Sequence, residues 1–554
     1  MKNIISYLTV FMLILGSCDD YLDYNEQDFY TEDEIFNSVS RTSSMLNNLY
    51  GKLPGGINSV GDAMRDCASD DAEEGDNNHS IQIINDGRWS ALRTIDSNWE
   101  EMFRAIRSAN LFLQKWDMSV LERYRYNADY LNLVKEYSLY DDQARFMRAY
   151  YYFELIKRYG DVPLLDGDIL TLEEANNVEP STFEAVKDFI VSECDAVINT
   201  LPKDYKGFSG DQLGRVTKGT AMALKARTLS YAASPLFNPD NSVAEWQEAA
   251  KASWVIIDSA RTMGWYSLEA NYSNIVNNSA SKELIFGRRY AADNWFERAN
   301  FPVGYLGATS PVAPTQNLVD TYEMSNGLDI GETGSGYDPA APYANRDPRL
   351  AKTIIVNNST WKGRSVEAFV NGLDGSPVSY ASRTGYYLKK YVVESINLDP
   401  NRTTTARHLT VFFRYGEVLL NYAEAMNEAF GPDFSSAEYG MTAYEAVNLV
   451  RARAGMPDFA TGMTQEQFRQ ELREERRVEL AFEDHRFWDI RRWKIGDQTT
   501  DIRGMNITRN EDLTFNYNPV TIETRVWDNK MYLYPIQQSE LYKNDNLEQN
   551  PGWQ

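Results

Sequence analysis

The chain has only three cysteines and three histidines in 554 residues. His79, His408 and His485 stand far apart, and no Cys/His spacing of the metal-binding kind occurs, so zinc and haem sites have no support. Cys67 and Cys194 imply no disulfide framework. Positive charge is also short. The 55 Lys and Arg against 80 Asp and Glu give a net charge of −25, which argues against nucleic acid and against electrostatic adhesion to an anionic leaflet. No G-x-x-x-x-G-K-[ST] run, no G-x-G-x-x-G opening a helix and no G-x-S-x-G elbow is present, so nucleotide binding and a serine-hydrolase site lack their signatures. Aromatic residues, by contrast, are plentiful: 35 Tyr and 12 Trp bring the aromatic share to 13%. That excess favours aromatic contact surfaces in addition to ordinary core packing. Length and composition are those of a globular chain with room for two or more domains.

Residues 1–18 read as a processing segment. Lys2 supplies a short positive end, Ile4 to Leu15 an apolar run too short to span a bilayer, and Leu15-Gly16-Ser17-Cys18 resembles a bacterial lipobox. Cys18 is then the lipidated first residue of an extracytoplasmic protein, and Asp19 and Asp20 begin an acidic tether.

Helical signals dominate up to about residue 270. Thr31 and Glu34 have capping-box spacing and predict a helix to about Tyr50. Apolar residues recur at helical period from Trp99 to Trp116 and from Phe146 to Ile156. Ser181 and Glu184 predict the cap of a helix to about Thr200. In Thr217 to Pro235, small residues at Gly219, Ala221, Ala223 and Ala226 invite a second helix, with Ala244 to Met263 as candidate partner. This points to tetratricopeptide-like pairs with degenerate repeats. Residues 51–78 are turn-rich and acidic and read as a solvated loop. The alternative is that their oxygens are ligands of a structural calcium ion, although the spacing is not that of an EF-hand. From 271 to 401 Gly, Pro, Asn and Ser rise, with short alternating runs such as Tyr387 to Val392, while embedded aromatic residues argue for order. Helices resume from Phe412, and MYLYP near the carboxy terminus reads as a strand.

The stretch Thr464 to Trp493 concentrates charge. A capping box at Thr464 and Gln467 starts a helix on which Phe468, Leu472, Val478 and Phe482 form an apolar stripe, with Glu475 and Glu479 in its middle. Carboxylates facing a core need partners, and the nearby arginines, Arg486 among them, supply a structural charge network; Arg414 and Arg451 are further candidate partners. The other reading, a glycosidase pair, requires a substrate cleft between the two carboxylates.

Several stretches together resemble the SusD/RagB family of outer-membrane nutrient-binding lipoproteins. They are Arg414 to Glu417 with Asn421 to Ala425, Glu475 to Glu483, Arg486 to Trp493, and Tyr534-Pro535-Ile536 with Asn550 to Trp553. In the first half Phe146 to Tyr150, Tyr159 to Pro163 and Thr217 to Tyr231 are similar. Asp484-His485 departs from the usual glycine, and Pro-Ile-Gln-Gln from the commoner Pro-Ile-Pro-Gln. The resemblance implies a mainly α SusD-like fold, with tetratricopeptide-like helix pairs and a large irregular, short-stranded ligand-binding portion. The expected division is a signal segment 1–18, a helical region 19–270, and a region 271–554 holding ligand loops 271–401 and helices 411–493.

It also implies a cell-surface, non-catalytic protein that binds glycan and serves a TonB-dependent, SusC-like transporter. A sugar presents a face of C–H bonds to flat rings and hydroxyls to fixed polar groups, and Tyr and Trp offer such rings at low entropic cost. The loop candidates are Trp89, Trp295, Phe296 and Tyr305, with Asp66, Asp86, Arg88, Asn294 and Arg383 as hydroxyl partners. No metal or cofactor beyond the calcium ion is expected. The alternatives are peptide binding on the same fold, a surface glycosidase, and a scaffold for protein contacts.

Overall fold

The computed structural model describes residues 30–167, 169–210, 212–309 and 311–553; the signal segment, Cys18 and most of the tether lie outside them. The chain is mainly α, with 41% of it helical and 11% in strands. None of the described helices is long and apolar enough to cross a membrane.

The helices form one array. Trp99–Lys115 packs on Tyr140–Tyr159, which packs on Phe183–Ile198; Lys218–Ala233 follows, then Val243–Met263. Val243–Met263 packs in turn on Tyr415–Phe430, which carries Ala443–Ala454 and Gln465–Glu479. Residues 264–414 are therefore an insertion between two neighbouring helices of a continuous stack. The strands Leu284–Arg289 and Leu409–Arg414 pair antiparallel at its root. Gly219 admits the first residues of the insertion rather than a second helix: a Cβ there would lie 1.8 Å from the Tyr266 hydroxyl oxygen. The Thr31 and Thr464 capping boxes form as their spacing predicts.

Local readings shift in several places. The first helix is two, Glu32–Phe36 and Val39–Gly51, because Asn37 caps the first and Ser38 is extended. Thr182 caps Phe183–Ile198 by accepting from the Ala185 N–H, while Ser181 is bridged to Val162. Phe412 belongs to a strand. Asn529–Tyr532 forms a 3₁₀ turn where a strand was expected, and a long hairpin, Asp501–Arg509 with Phe515–Thr524, has no counterpart in the sequence reading.

The acidic loop is corrected most. Asp66, Asp70, Asp71, Glu73 and Glu74 are buried, because the short strand Ala72–Glu74 pairs with Val312–Pro314 of the insertion. Arg486 and Arg477 hold Asp70 at 2.7 and 2.9 Å, Arg477 also holds Asp71 at 2.6 Å, and Arg383 lies 2.8 Å from Glu73. Burial opposes ionisation of Asp70, but Arg477 and Arg486 outweigh it and hold that carboxyl at about 2. No group of three His, Cys, Asp or Glu among the described residues is arranged to hold a metal ion.

Where the insertion meets the array, a buried charge network joins them. Arg349, from the insertion, binds Asp347 at 2.7 Å, Glu475 at 3.0 Å and Glu479 at 3.0 Å. Arg414 reaches Glu283, Glu479 and Glu483 at 2.6, 2.8 and 2.6 Å. Arg451 binds Glu475 at 3.0 Å and Glu323 at 2.7 Å, and Arg453 pairs with Glu479. Lys390 of the insertion closes on Glu483 at 2.6 Å and on the Ala481 carbonyl at 2.8 Å. Arg486 is not in this set, since the turn at Phe482 to Asp484, with positive φ at both ends, carries it to Asp70. Burial alone would raise the Glu479 pKa, yet Arg453, Arg414 and Arg349 hold it well below the usual carboxylate range.

Candidate ligand-binding site

After Leu284–Arg289 leaves the array, Tyr290 stays in register by donating its N–H to the His408 carbonyl at 3.0 Å. The chain then bridges Asp293 to Ala406 and turns into the short helix Trp295–Asn300. The Asn294 side chain fixes this corner by donating to the Thr404 carbonyl at 3.2 Å, and the Trp295 N–H donates to Asp293 Oδ1 at 3.1 Å. Trp295 therefore starts a helix on a pinned corner and stands 46% exposed, whereas Phe296, one residue on, is buried against the rings of His408 and Tyr391.

Beside Trp295 is a cleft of about 220 Å³, walled by Tyr290, Asp293, Trp295, Phe296 and His408 and, across it, by Gly56 to Asn58 and Asp62. The loop from residue 54 to 62 is held to this wall by the Gly56 N–H, which donates to the Tyr290 hydroxyl at 2.6 Å. Asn58 donates to the Asp62 carbonyl at 2.7 Å, while its Oδ1 has no protein partner. His408 places Nε2 3.2 Å from Glu297, and its Nδ1 is likewise without a partner. Unsatisfied polar atoms beside a cleft are common where a ligand or water completes the bonding. An exposed indole, a phenol, an amide and two carboxylates around one concavity suit a ligand with an apolar face and polar edges.

Of the residues singled out from sequence, Trp295, Phe296 and Asn294 come together here. The others lie elsewhere. Trp89 is 2% exposed and packs edge-on against Tyr534 and Trp553, with ring centroids 4.6 and 5.2 Å away; it cannot stack on a sugar while so enclosed. Asp86 and Arg88 pair with each other at the surface. Tyr305 donates to the Trp361 carbonyl under the Arg364 guanidinium, 3.9 Å above its ring. Arg383 is engaged with Glu73 and Glu523. Asp66 lines a separate chamber of about 60 Å³ that shares Gly56 and Ile57 with the cleft. There burial, with the neighbouring charges of Asp71 and Asp484, pushes its carboxyl up to about 8. Glu475 and Glu479 line neither cavity; both are buried in the network already described.

Tyr290, Asn58, Asp293 and His408 were missed, and Asp62 was read only as part of the acidic run. The signals available are the strand just before Tyr290 and the Gly55-Gly56 and Gly61 turns, but nothing local says that residues 56–62 and 290–295 meet.

Two family models match. One described as the SusD family covers residues 269–553, slightly more than half of the chain. One described as starch-binding associating with outer membrane covers residues 20–229. Over their full lengths the chain is 22% identical to SusD-like protein P2 of Formosa agariphila. A SusD-like protein of Bacteroides fragilis superposes with a TM-score of 0.77 at 25% identity, over 94% of this chain and 98% of that one. A SusD-like carbohydrate binding protein of the same organism gives 0.75 at 28% identity, over 93% and 100%.

Proposed function

The chain belongs to the SusD family, and on that premise we propose that it is a surface lipoprotein, anchored through Cys18, that binds a glycan in the Trp295 cleft. It passes the glycan without catalysis to a SusC-like, TonB-dependent transporter of the outer membrane. The family is one of carbohydrate-binding proteins, and one of the two models carries outer-membrane association in its description. The observation that carries the site is the exposed Trp295 indole beside Tyr290, over a cleft whose Asn58 and His408 each keep an unpartnered polar atom. In this reading the indole takes the C–H face of a sugar ring, and Asn58, Asp62, Tyr290 and Asp293 take its hydroxyls. Tyr290, Asp293, Trp295, Phe296 and His408 supply one wall, and the loop at 56–62, from the first half of the chain, supplies the other.

A non-catalytic role has physical support. Glu475 and Glu479 are enclosed by Arg349, Arg414, Arg451 and Arg453, where no glycosidic oxygen could approach either. Glu479, held ionised by Arg453, Arg414 and Arg349 despite its burial, is also a poor general acid.

The test is calorimetric titration of the full chain and of Trp295→Ala with a panel of neutral oligosaccharides, starch-derived ones included. At least about a tenfold loss in affinity, worth about 1.4 kcal/mol, is expected for Trp295→Ala. If no oligosaccharide binds the unaltered protein, the glycan reading is wrong, and binding of peptides instead would move the ligand class. Co-purification of a barrel transporter with the tagged chain tests the delivery step.

A further inference from the structure

A cavity larger than the Trp295 cleft lies away from it. It holds about 540 Å³ between the loop leading into Lys218–Ala233, the end of Val243–Met263, and residues 279–289. Its lining inverts the charge of the protein. Lys203, Lys206, Arg215, Lys282 and Arg289 border it, against one described carboxylate, Asp204, in a chain of net charge −25. Lys203 comes no nearer than 4.0 Å to Asp204. Among the described residues, no carboxylate lies within ion-pair distance of Lys206, Lys282 or Arg215. Arg215 is half-buried, 4.9 Å over the Tyr50 ring, and donates at 3.4 Å to the Gln212 amide oxygen.

Cations alone at a surface are usually just solvated. Here they share a concavity with half-buried aromatic faces, Tyr205, Trp265 and Tyr266. Tyr205 is fixed by donating its hydroxyl to the Val216 carbonyl at 2.9 Å, and Tyr266 lies against the bare Gly219. The capped N-terminus of Lys218–Ala233, at Thr217, adds a partial positive charge, and the end of Val243–Met263 at Met263 subtracts one. The side chains thus set the sign. The volume lies within the usual range for small-molecule sites.

We propose that this cavity is a second saccharide site, taking sugars that carry carboxylate or sulfate groups, with Trp265 and Tyr266 as ring contacts and Lys203, Lys206, Lys282 and Arg215 as anion partners. It rests on the glycan-binding reading of the family, but not on the Trp295 cleft. Lysines at the rim raise the local concentration of a polyanion, and the planar Arg215 gives a directed contact inside.

The experiment titrates the full chain with oligogalacturonate, with a sulfated galactan oligomer and with inorganic sulfate, at low and high salt. The variants are Lys203→Gln/Lys206→Gln/Lys282→Gln, Trp265→Ala and Trp295→Ala, with melting curves to verify folding. The unaltered protein is expected to bind at least one acidic oligomer, more weakly as salt rises. The triple variant should lose at least tenfold and Trp265→Ala several-fold, while Trp295→Ala keeps this binding. The two oligomers separate carboxylate from sulfate recognition. Absence of binding to both, or binding that ignores the triple substitution, overturns the proposal, as does inorganic sulfate binding as tightly as the sulfated oligomer. Neutral sugars that bind through Trp295 while acidic ones fail would sink this site alone; acidic sugars that bind here while neutral ones fail would sink the Trp295 cleft alone.

Discussion

In the helical array, aromatic rings such as Phe146, Tyr150 and Phe153 sit at successive turns of one helix and are buried by the neighbouring helices. In the insertion, rings of the same kinds sit in loops and are fixed one at a time by polar anchors. Arg346, buried there, donates to the carbonyls of Tyr322 at 3.1 Å, Pro342 at 2.8 Å and Val319 at 2.6 Å, satisfying backbone groups that no helix or sheet serves. Arg364 and Asp374 lock another turn at 2.6 Å. A repeating helix buries its rings by periodicity, whereas loops need a separate device for each. Freed from the repeat, the insertion can leave rings such as Trp295 and Tyr380 out in solvent.

The largest test of this contrast strikes the joint between the two regions. Arg414→Met removes the cation shared by Glu283, Glu479 and Glu483, and should cost ~3–5 kcal/mol in urea unfolding. A loss below ~1 kcal/mol would show that the network does not clamp the insertion to the array. Next comes a pair of tryptophans. Trp89→Ala empties a core position and should cost ~3–5 kcal/mol, with ligand affinity kept in the folded fraction. Trp295→Ala should change stability by less than ~0.5 kcal/mol, as surface substitutions do, and lose at least tenfold in binding. Equal effects of the two on melting temperature would erase the distinction drawn between core and loop rings.

The smallest effect concerns pH. Asp66 titrates at about 8 when folded and near ~3.9 when unfolded. Between those values the folded state keeps a proton that the unfolded state has lost, so stability falls as pH rises through that window. Asp66→Asn should remove this slope and leave the variant the more stable at pH 9, by at least ~1 kcal/mol, the worth of roughly one pKa unit. A variant no more stable than the parent at pH 9 would refute the assignment. Glu154 and Asp70 act in the opposite direction. Burial opposes their ionisation, but Lys157 and Arg158 hold Glu154 at about 2, as Arg477 and Arg486 hold Asp70. Their stabilisation is present above ~pH 4 and is lost as pH falls toward 2, so the parent should lose stability in acid whether or not Asp66 is replaced.

The array was legible because its signals are local. Capping boxes at Thr31 and Thr464 form within four residues, and apolar period survives in one dimension. Burial of Glu475 and Glu479 was legible for the same reason, since their place on the apolar stripe follows from helical geometry. Arg349 as their central partner was not, because it lies 126 residues from Glu475. The site was legible only at Trp295 and its neighbours, in a corner whose turn residues show in the sequence.

By itself, then, the sequence determined the helices, their order and the family, since caps, period and short motifs are written over a few residues each. That the acidic residues from Asp66 to Glu74 are buried, which tryptophan is left out and which loops face each other were decided only by the tertiary structure. A short strand such as Ala72–Glu74, a loop such as residues 54–62 and a lone arginine carry no record of a partner more than a hundred residues away, and their burial and chemistry exist only once the chain has closed.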